Sequence, residues 1–132
     1  MLHHKRYSIV LIALCLFSLA FTPTHQTWVK LGERKVKHSV DRDEIKVTIK
    51  EGVFKKLKLK VKHRKVTFRD MKVHYANGEV QDIALRREIP AGGETRVIDL
   101  KGNNRVITKV VFWYNTKRIR GKKAEVALWG WR

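Results

Sequence analysis

Polar and apolar residues alternate through most of this chain, most cleanly in Lys56-Leu-Lys-Leu-Lys-Val-Lys62. Successive side chains of an extended strand point to opposite sides, so Leu57, Leu59 and Val61 share a dry face while Lys56, Lys58, Lys60 and Lys62 share a wet one. The longest run of strand-favouring residues, Arg105 to Tyr114, is largely apolar at both parities and reads as a central strand covered on both faces. Trp28 to Val36, Ile45 to Lys50, Val66 to Phe68, Met71 to Tyr75, Val80 to Ile89, Thr95 to Leu100 and Ala124 to Trp131 read as the other strands, with Ile45, Val47 and Ile49 on one face.

Apolar parity is even through Phe68 and odd from Met71, which predicts a bulge near Arg69-Asp70 that restores the inward face. Asn77-Gly78 predicts a two-residue hairpin turn, and Gly32 a bulge or a close approach. Pro90-Ala-Gly-Gly93 and Gly102-Asn-Asn104 punctuate the rest. No long helical period appears. About eight short strands, joined by connections too short for helical crossovers, predict an all-β fold: an antiparallel, jelly-roll-like β-sandwich.

The N-terminus has a different character. Lys5 and Arg6 precede an apolar run from Tyr7 to Phe21, and Ser18-Leu-Ala20 offers small residues for cleavage. Residues 1–20 therefore read as a signal peptide, residues 21–26 as a linker and residues 27–132 as the sandwich domain. The run falls short of the roughly 20 residues that cross a bilayer, so no transmembrane segment is expected after cleavage. The expected location is periplasmic or secreted. Cys15 lies within the leader, which leaves the processed domain without a thiol and dependent on its core.

Charge then narrows the partners. The formal charge is +18, and 18 − 2 for Lys5 and Arg6 leaves +16 on the domain. Such an excess draws a protein toward anionic surfaces; for an exported chain these are acidic polysaccharide, lipopolysaccharide and lipid headgroups. Nucleic acid is disfavoured by compartment. The candidate anion-binding residues are Lys56, Lys58, Lys60 and Lys62 on one strand face and Arg118, Arg120, Lys122 and Lys123 in the basic loop Lys117 to Lys123. The plainer reading of the lysine row is a solvated face that blocks edge-to-edge pairing.

Four tryptophans open a second possibility. Trp129 and Trp131 have outward parity if Val126 and Leu128 face inward, and Trp113 opposes Phe112. An aromatic surface of Trp113, Trp129 and Trp131 would suit a carbohydrate or a partner protein. The competing reading places these rings under lysine stems.

Catalytic and metal chemistry find little support. Ser39 lacks a nucleophile-elbow context. Asp41, Asp43 and Glu44 lack the glycine and distal glutamate of a calcium loop and more readily neutralise nearby cations. His38, His63 and His74 stand singly without metal-ligand spacing. Asp70, Asp82, Glu88 and Asp99 could include a hydrolytic pair or be ion-paired, with Arg96 as the first partner to expect for Asp99. No cofactor, metal or enzymatic activity is expected.

Leu31-Gly32, Val73-His-Tyr75, Ile89-Pro-Ala-Gly92, Thr95-Arg-Val-Ile98, Arg105 to Phe112 and Ala124-Glu-Val-Ala-Leu-Trp-Gly130, following a leader, form a recognisable order. In this order the chain resembles the small exported bacterial proteins of unknown function typified by the periplasmic protein YaaI. The resemblance implies a secreted or periplasmic β-sandwich and brings no catalytic residues. The expected function is an exported, non-enzymatic protein that binds anionic envelope or extracellular polymers through a basic surface. The alternative is a protein-interaction or carbohydrate-binding module built on the aromatic surface.

Overall fold

The computed structural model describes residues 26–36, 41–115 and 121–132. Its strands are β1 (Trp28–Lys35), β2 (Arg42–Lys46), β3 (Val53–Phe54), β4 (Lys56–Lys62), β5 (Val66–Tyr75), β6 (Val80–Ile89), β7 (Ile98–Asp99), β8 (Arg105–Asn115) and β9 (Glu125–Trp131). They form two antiparallel sheets, ordered β1-β9-β4-β7 and β2-β8-β5-β6, with β3 also pairing with β8. The fold is an antiparallel β-sandwich.

Period-two alternation builds the first sheet. Leu57, Leu59 and Val61 lie in register with Gly130, Leu128 and Val126, and their side chains enter the core, which leaves the lysines of β4 outside. Gly130 belongs to that inward row because a Cβ there would come within 2.6 Å of Phe54 and 2.9 Å of Leu31. Each fully buried Leu or Phe contributes about 1.5–3 kcal/mol through removal from water.

β8 is an inner strand of the second sheet, as its two-sided apolar pattern requires. Val110, Phe112 and Tyr114 enter the core. Val111, on the opposite parity, is also buried, between Glu44 and Lys72 in register. The predicted irregularity near Arg69-Asp70 is present and double. Against β8, Arg69 and Asp70 face the single Trp113; against β6, the lone Arg69 faces Leu85 and Arg86. These bulges let Phe68 and Met71 both point inward. The hairpin between β5 and β6 forms at the expected place but through three residues rather than two, since the Tyr75 N–H donates to the Glu79 carbonyl around Ala76-Asn77-Gly78, with Gly78 at φ of 90°. At Gly32 the register with β9 shifts, and a Cβ would stand 2.7 Å from Ile45, so both readings of that glycine hold.

Two expectations need correction. Ile49 is 69% exposed rather than inward, because the strand ends at Lys46 and Ile49–Glu51 winds into a 3-10 turn. Thr95 to Leu100 pairs as a ladder only at Ile98–Asp99, since Thr95 spends its hydroxyl accepting from the Leu59 N–H and donating to the Arg96 carbonyl. The nine described strands match the expected count of about eight, with the two-residue β3 as the addition.

Candidate anion-binding surface

The lysine row does not stand alone. Across the outer face of the first sheet, register aligns Trp28, Trp131, Lys56 and Asp99 in one row; Lys30, Trp129 and Lys58 in the next; then Glu33, Ala127 and Lys60; and last Lys35, Glu125 and Lys62. Tryptophans from two strands are thereby interleaved with lysines from a third. Trp28 and Trp131 touch at 5.4 Å between centroids, tilted by 59°. Lys58 sets its ammonium 4.2 Å from the Trp28 centroid and 3.3 Å from Glu94, and its side chain is only 11% exposed. Lys60 stands 4.2 Å over Trp129. Lys56 lies 3.9 Å from Asp99. On this face lysines cover rings and neighbouring carboxylates cover lysines. The Trp129 indole N–H is buried without an acceptor.

Lys62 has different surroundings. It ends β4 beside the turn of His63, Arg64 and Lys65, at the same end of the sandwich as the segment leading into β9. Arg64 Nε donates to the Lys122 carbonyl, which ties the turn to that segment. Gly121 is required there, with φ of 116° and room for a Cβ only 2.8 Å from Arg64 Nη2. Lys62, Arg64, Lys65, Lys122 and Lys123 thus gather near three carboxylates: Glu125, 3.4 Å from His63, Glu88, 3.3 Å from Lys65, and Glu33, which interacts with Glu125 and Lys62. The structure brings Lys62 together with Lys122 and Lys123, while Lys56, Lys58 and Lys60 run down the sheet face. Arg118 and Arg120 lie outside the described residues, as do the leader, Cys15, His38 and Ser39.

The three expected tryptophans do not form one surface. Trp129 and Trp131 share the first sheet with Trp28, whereas Trp113 lies on the second. Trp113 borders a separate hollow of about 570 Å³, with Arg69, Asp70, Lys72, Asp82 and Ala84 among its lining. Arg42 and Lys72 stand 5.7 and 6.0 Å from its ring centroid. Charges in this hollow are partly spent, Lys72 on Asp82 at 3.6 Å and Arg69 on Asp41 at 3.2 Å. On the same face burial, then repulsion from Lys109, pushes the His74 pKa below its ordinary value.

Carboxylates elsewhere are held by cations. Glu44 meets Arg42 at 3.6 Å and Lys109 at 3.8 Å, and Asp43 accepts from the Tyr114 hydroxyl at 2.9 Å. Asp99 has Lys56 as its partner rather than Arg96, whose guanidinium turns to the Ala84 carbonyl at 3.2 Å. Among the described residues no group of three or more His, Cys, Asp or Glu is placed to hold a metal. No described helix is long and apolar enough to cross a membrane.

Two sets of residues escaped the sequence reading. Trp28 joins the face only through strand register, although its position opposite Val29 and Leu31 was a usable sign. Arg86, Arg87 and Arg96 converge on a cleft of about 290 Å³ between β6 and the segment before β7. The Arg86-Arg87 pair breaks the alternation of β6, which was the only hint.

Comparison with known proteins places the fold. AlgX from Pseudomonas aeruginosa is similar in structure, with a TM-score of 0.50 at 14% identity over 77% of this chain and 26% of AlgX. The chain thus spans about a quarter of that protein's length. YomS, derived from the SPBc2 prophage, aligns over 85% of this chain and 97% of its own at 16% identity, with a TM-score of 0.37. No curated protein matches the sequence. A family model described as Domain of unknown function (DUF2541) matches residues 8–130.

Proposed function

The chain belongs to that family, and we propose that it is an exported, non-enzymatic binding module held to anionic envelope or extracellular polymers by lysine and arginine side chains that outnumber its own carboxylates. The observation that carries this reading is the basic end of the sandwich. There the Arg64 to Lys122 hydrogen bond brings Lys62, Arg64, Lys65, Lys122 and Lys123 to one pole, five cations against Glu33, Glu88 and Glu125. Phosphates of lipopolysaccharide, acidic sugars and lipid headgroups all offer anions at the spacing of flexible surface ammonium groups, so affinity comes from summed charge rather than a shaped pocket. The leader-like layout of residues 1–20 and the resemblance to exported proteins of the YaaI type support a periplasmic or secreted setting.

Cosedimentation tests the reading. The domain should pellet with vesicles containing phosphatidylglycerol or lipopolysaccharide and stay in solution with neutral phosphatidylcholine vesicles. At 0.1 M salt the Debye length is about 10 Å, so binding should fall steeply as salt rises further. Equal pelleting with neutral and anionic vesicles contradicts it.

A second reading rests on the aromatic face, where Trp28 and Trp131 are in contact and only partly buried. A sugar ring or a partner protein would dock on Trp131 and Trp28 beside Trp129, with Trp113 serving a separate site on the other sheet. Trp131→Ala should then abolish capture of a neutral oligosaccharide or a partner while thermal stability is kept.

A further inference from the structure

The cleft beside β6 differs in kind from the basic end. Arg86, Arg87 and Arg96 line it with Phe68, Ile89 and Thr95, and no carboxylate is among its walls. Ion pairs within 4 Å engage acids across both sheets, yet among the described residues none involves these three arginines. Arg86 and Arg87 also line the neighbouring hollow, together with Asp70 and Glu88, and Glu88 is occupied by Lys65 at 3.3 Å.

Two further facts make the cluster a built feature. Arg86 has φ of 40° at the bulge where Leu85 and Arg86 face the lone Arg69. That left-handed backbone suits glycine, and a side chain there is strained. A strained arginine where glycine would fit more easily points to a use for its guanidinium. Arg96 is anchored, because one of its N–H groups donates to the Ala84 carbonyl at 3.2 Å and its own carbonyl accepts from the buried Thr95 hydroxyl at 3.0 Å. Its remaining donors are left for a ligand.

We propose that Arg86, Arg87 and Arg96 form a discrete receptor for one tetrahedral oxyanion, a phosphate or sulfate group, with Arg86 and Arg87 supplied by the β6 bulge and Arg96 by the opposing segment. Guanidinium forks match such groups with paired, charge-assisted hydrogen bonds, which lysine cannot reproduce. The site goes beyond the polymer reading, since it saturates with one small anion.

The probe is inorganic phosphate, then sulfate, each titrated at constant ionic strength against chloride while the arginine Nε–Hε resonances are followed by NMR. Saturating shifts confined to Arg86, Arg87 and Arg96 are expected. Arg86→Gly should weaken binding at least about tenfold, the order expected for one charge-assisted pair, with a melting temperature equal to or above that of the parent. Arg87→Gln should weaken binding similarly without touching the bulge. Heparin fragments and phosphatidylglycerol vesicles as competitors then distinguish a sulfated polymer from a lipid phosphate as the source. Linear, non-saturating shifts, unchanged binding in Arg87→Gln, or a lowered melting temperature in Arg86→Gly would each overturn the receptor. Salt-sensitive vesicle binding that persists in Arg86→Gly leaves the polymer reading standing, so the two fail separately.

Discussion

Lys58 carries its ammonium to within 4.2 Å of the Trp28 ring centroid, although β9 lies between their strands. The same ammonium meets Glu94 at 3.3 Å, and the side chain is almost fully covered. A lysine in the most regular polar row of the chain is therefore a packing residue. Lys58→Ala should cost about 1–2 kcal/mol in urea unfolding, from a covered cation–π contact and the lost methylenes. Lys56→Ala, whose side chain is 47% exposed beside Asp99, should cost about 0–0.5 kcal/mol. Equal costs would place both lysines in solvent.

Gln81 makes a second test, because it is the buried hub between the sheets. Its Oε1 accepts from the Tyr75 hydroxyl and from the Lys101 N–H at 3.0 Å, and its Nε2 donates to the Asp99 carbonyl at 3.1 Å. Gln81→Leu keeps the volume but orphans these groups. A loss of about 2–4 kcal/mol is expected in chemical denaturation. A loss below about 0.5 kcal/mol would mean that water replaces the amide freely.

Acid should weaken the fold through His74. Burial first, then Lys109, lowers its folded pKa from 6.5, so the unfolded chain binds a proton more readily than the folded one. The contribution is intact above pH 6.5 and shrinks as pH falls through 6.5 toward the lower folded pKa. His74→Gln should flatten the stability profile on the acid side of that value. An NMR titration of His74 with a midpoint above 6.5 contradicts the assignment.

The strands were legible where one residue step decides which side is wet. Leu57, Leu59 and Val61 of β4, the parity switch between Phe68 and Met71, and the place of the hairpin at Asn77-Gly78 all express local rules and all hold. The alternation of Ile49 continues past the point where the chain leaves the ladder, since β2 ends at Lys46 ahead of the 3-10 turn Ile49–Glu51. The site was far less legible. Whether Trp113 meets Trp129, whether Lys58 meets Trp28 and whether Asp99 meets Lys56 depend on strand order across two sheets, which alternation within a strand does not encode. Arg86 was hidden for the same reason: its φ follows from the bulge opposite Arg69 rather than from its own neighbours.

The basic end binds anions whereas the lysine face packs, and two triple variants compared by titration against heparin over a range of salt test this difference most directly. Lys62→Gln, Lys122→Gln and Lys123→Gln together should weaken binding about tenfold or more at low salt and flatten its salt dependence, with the fold intact. Lys56→Gln, Lys58→Gln and Lys60→Gln together should lose mainly stability and much less affinity. Equal losses of affinity in the two variants, or binding indifferent to salt and to the loss of Lys62, Lys122 and Lys123, would contradict the account.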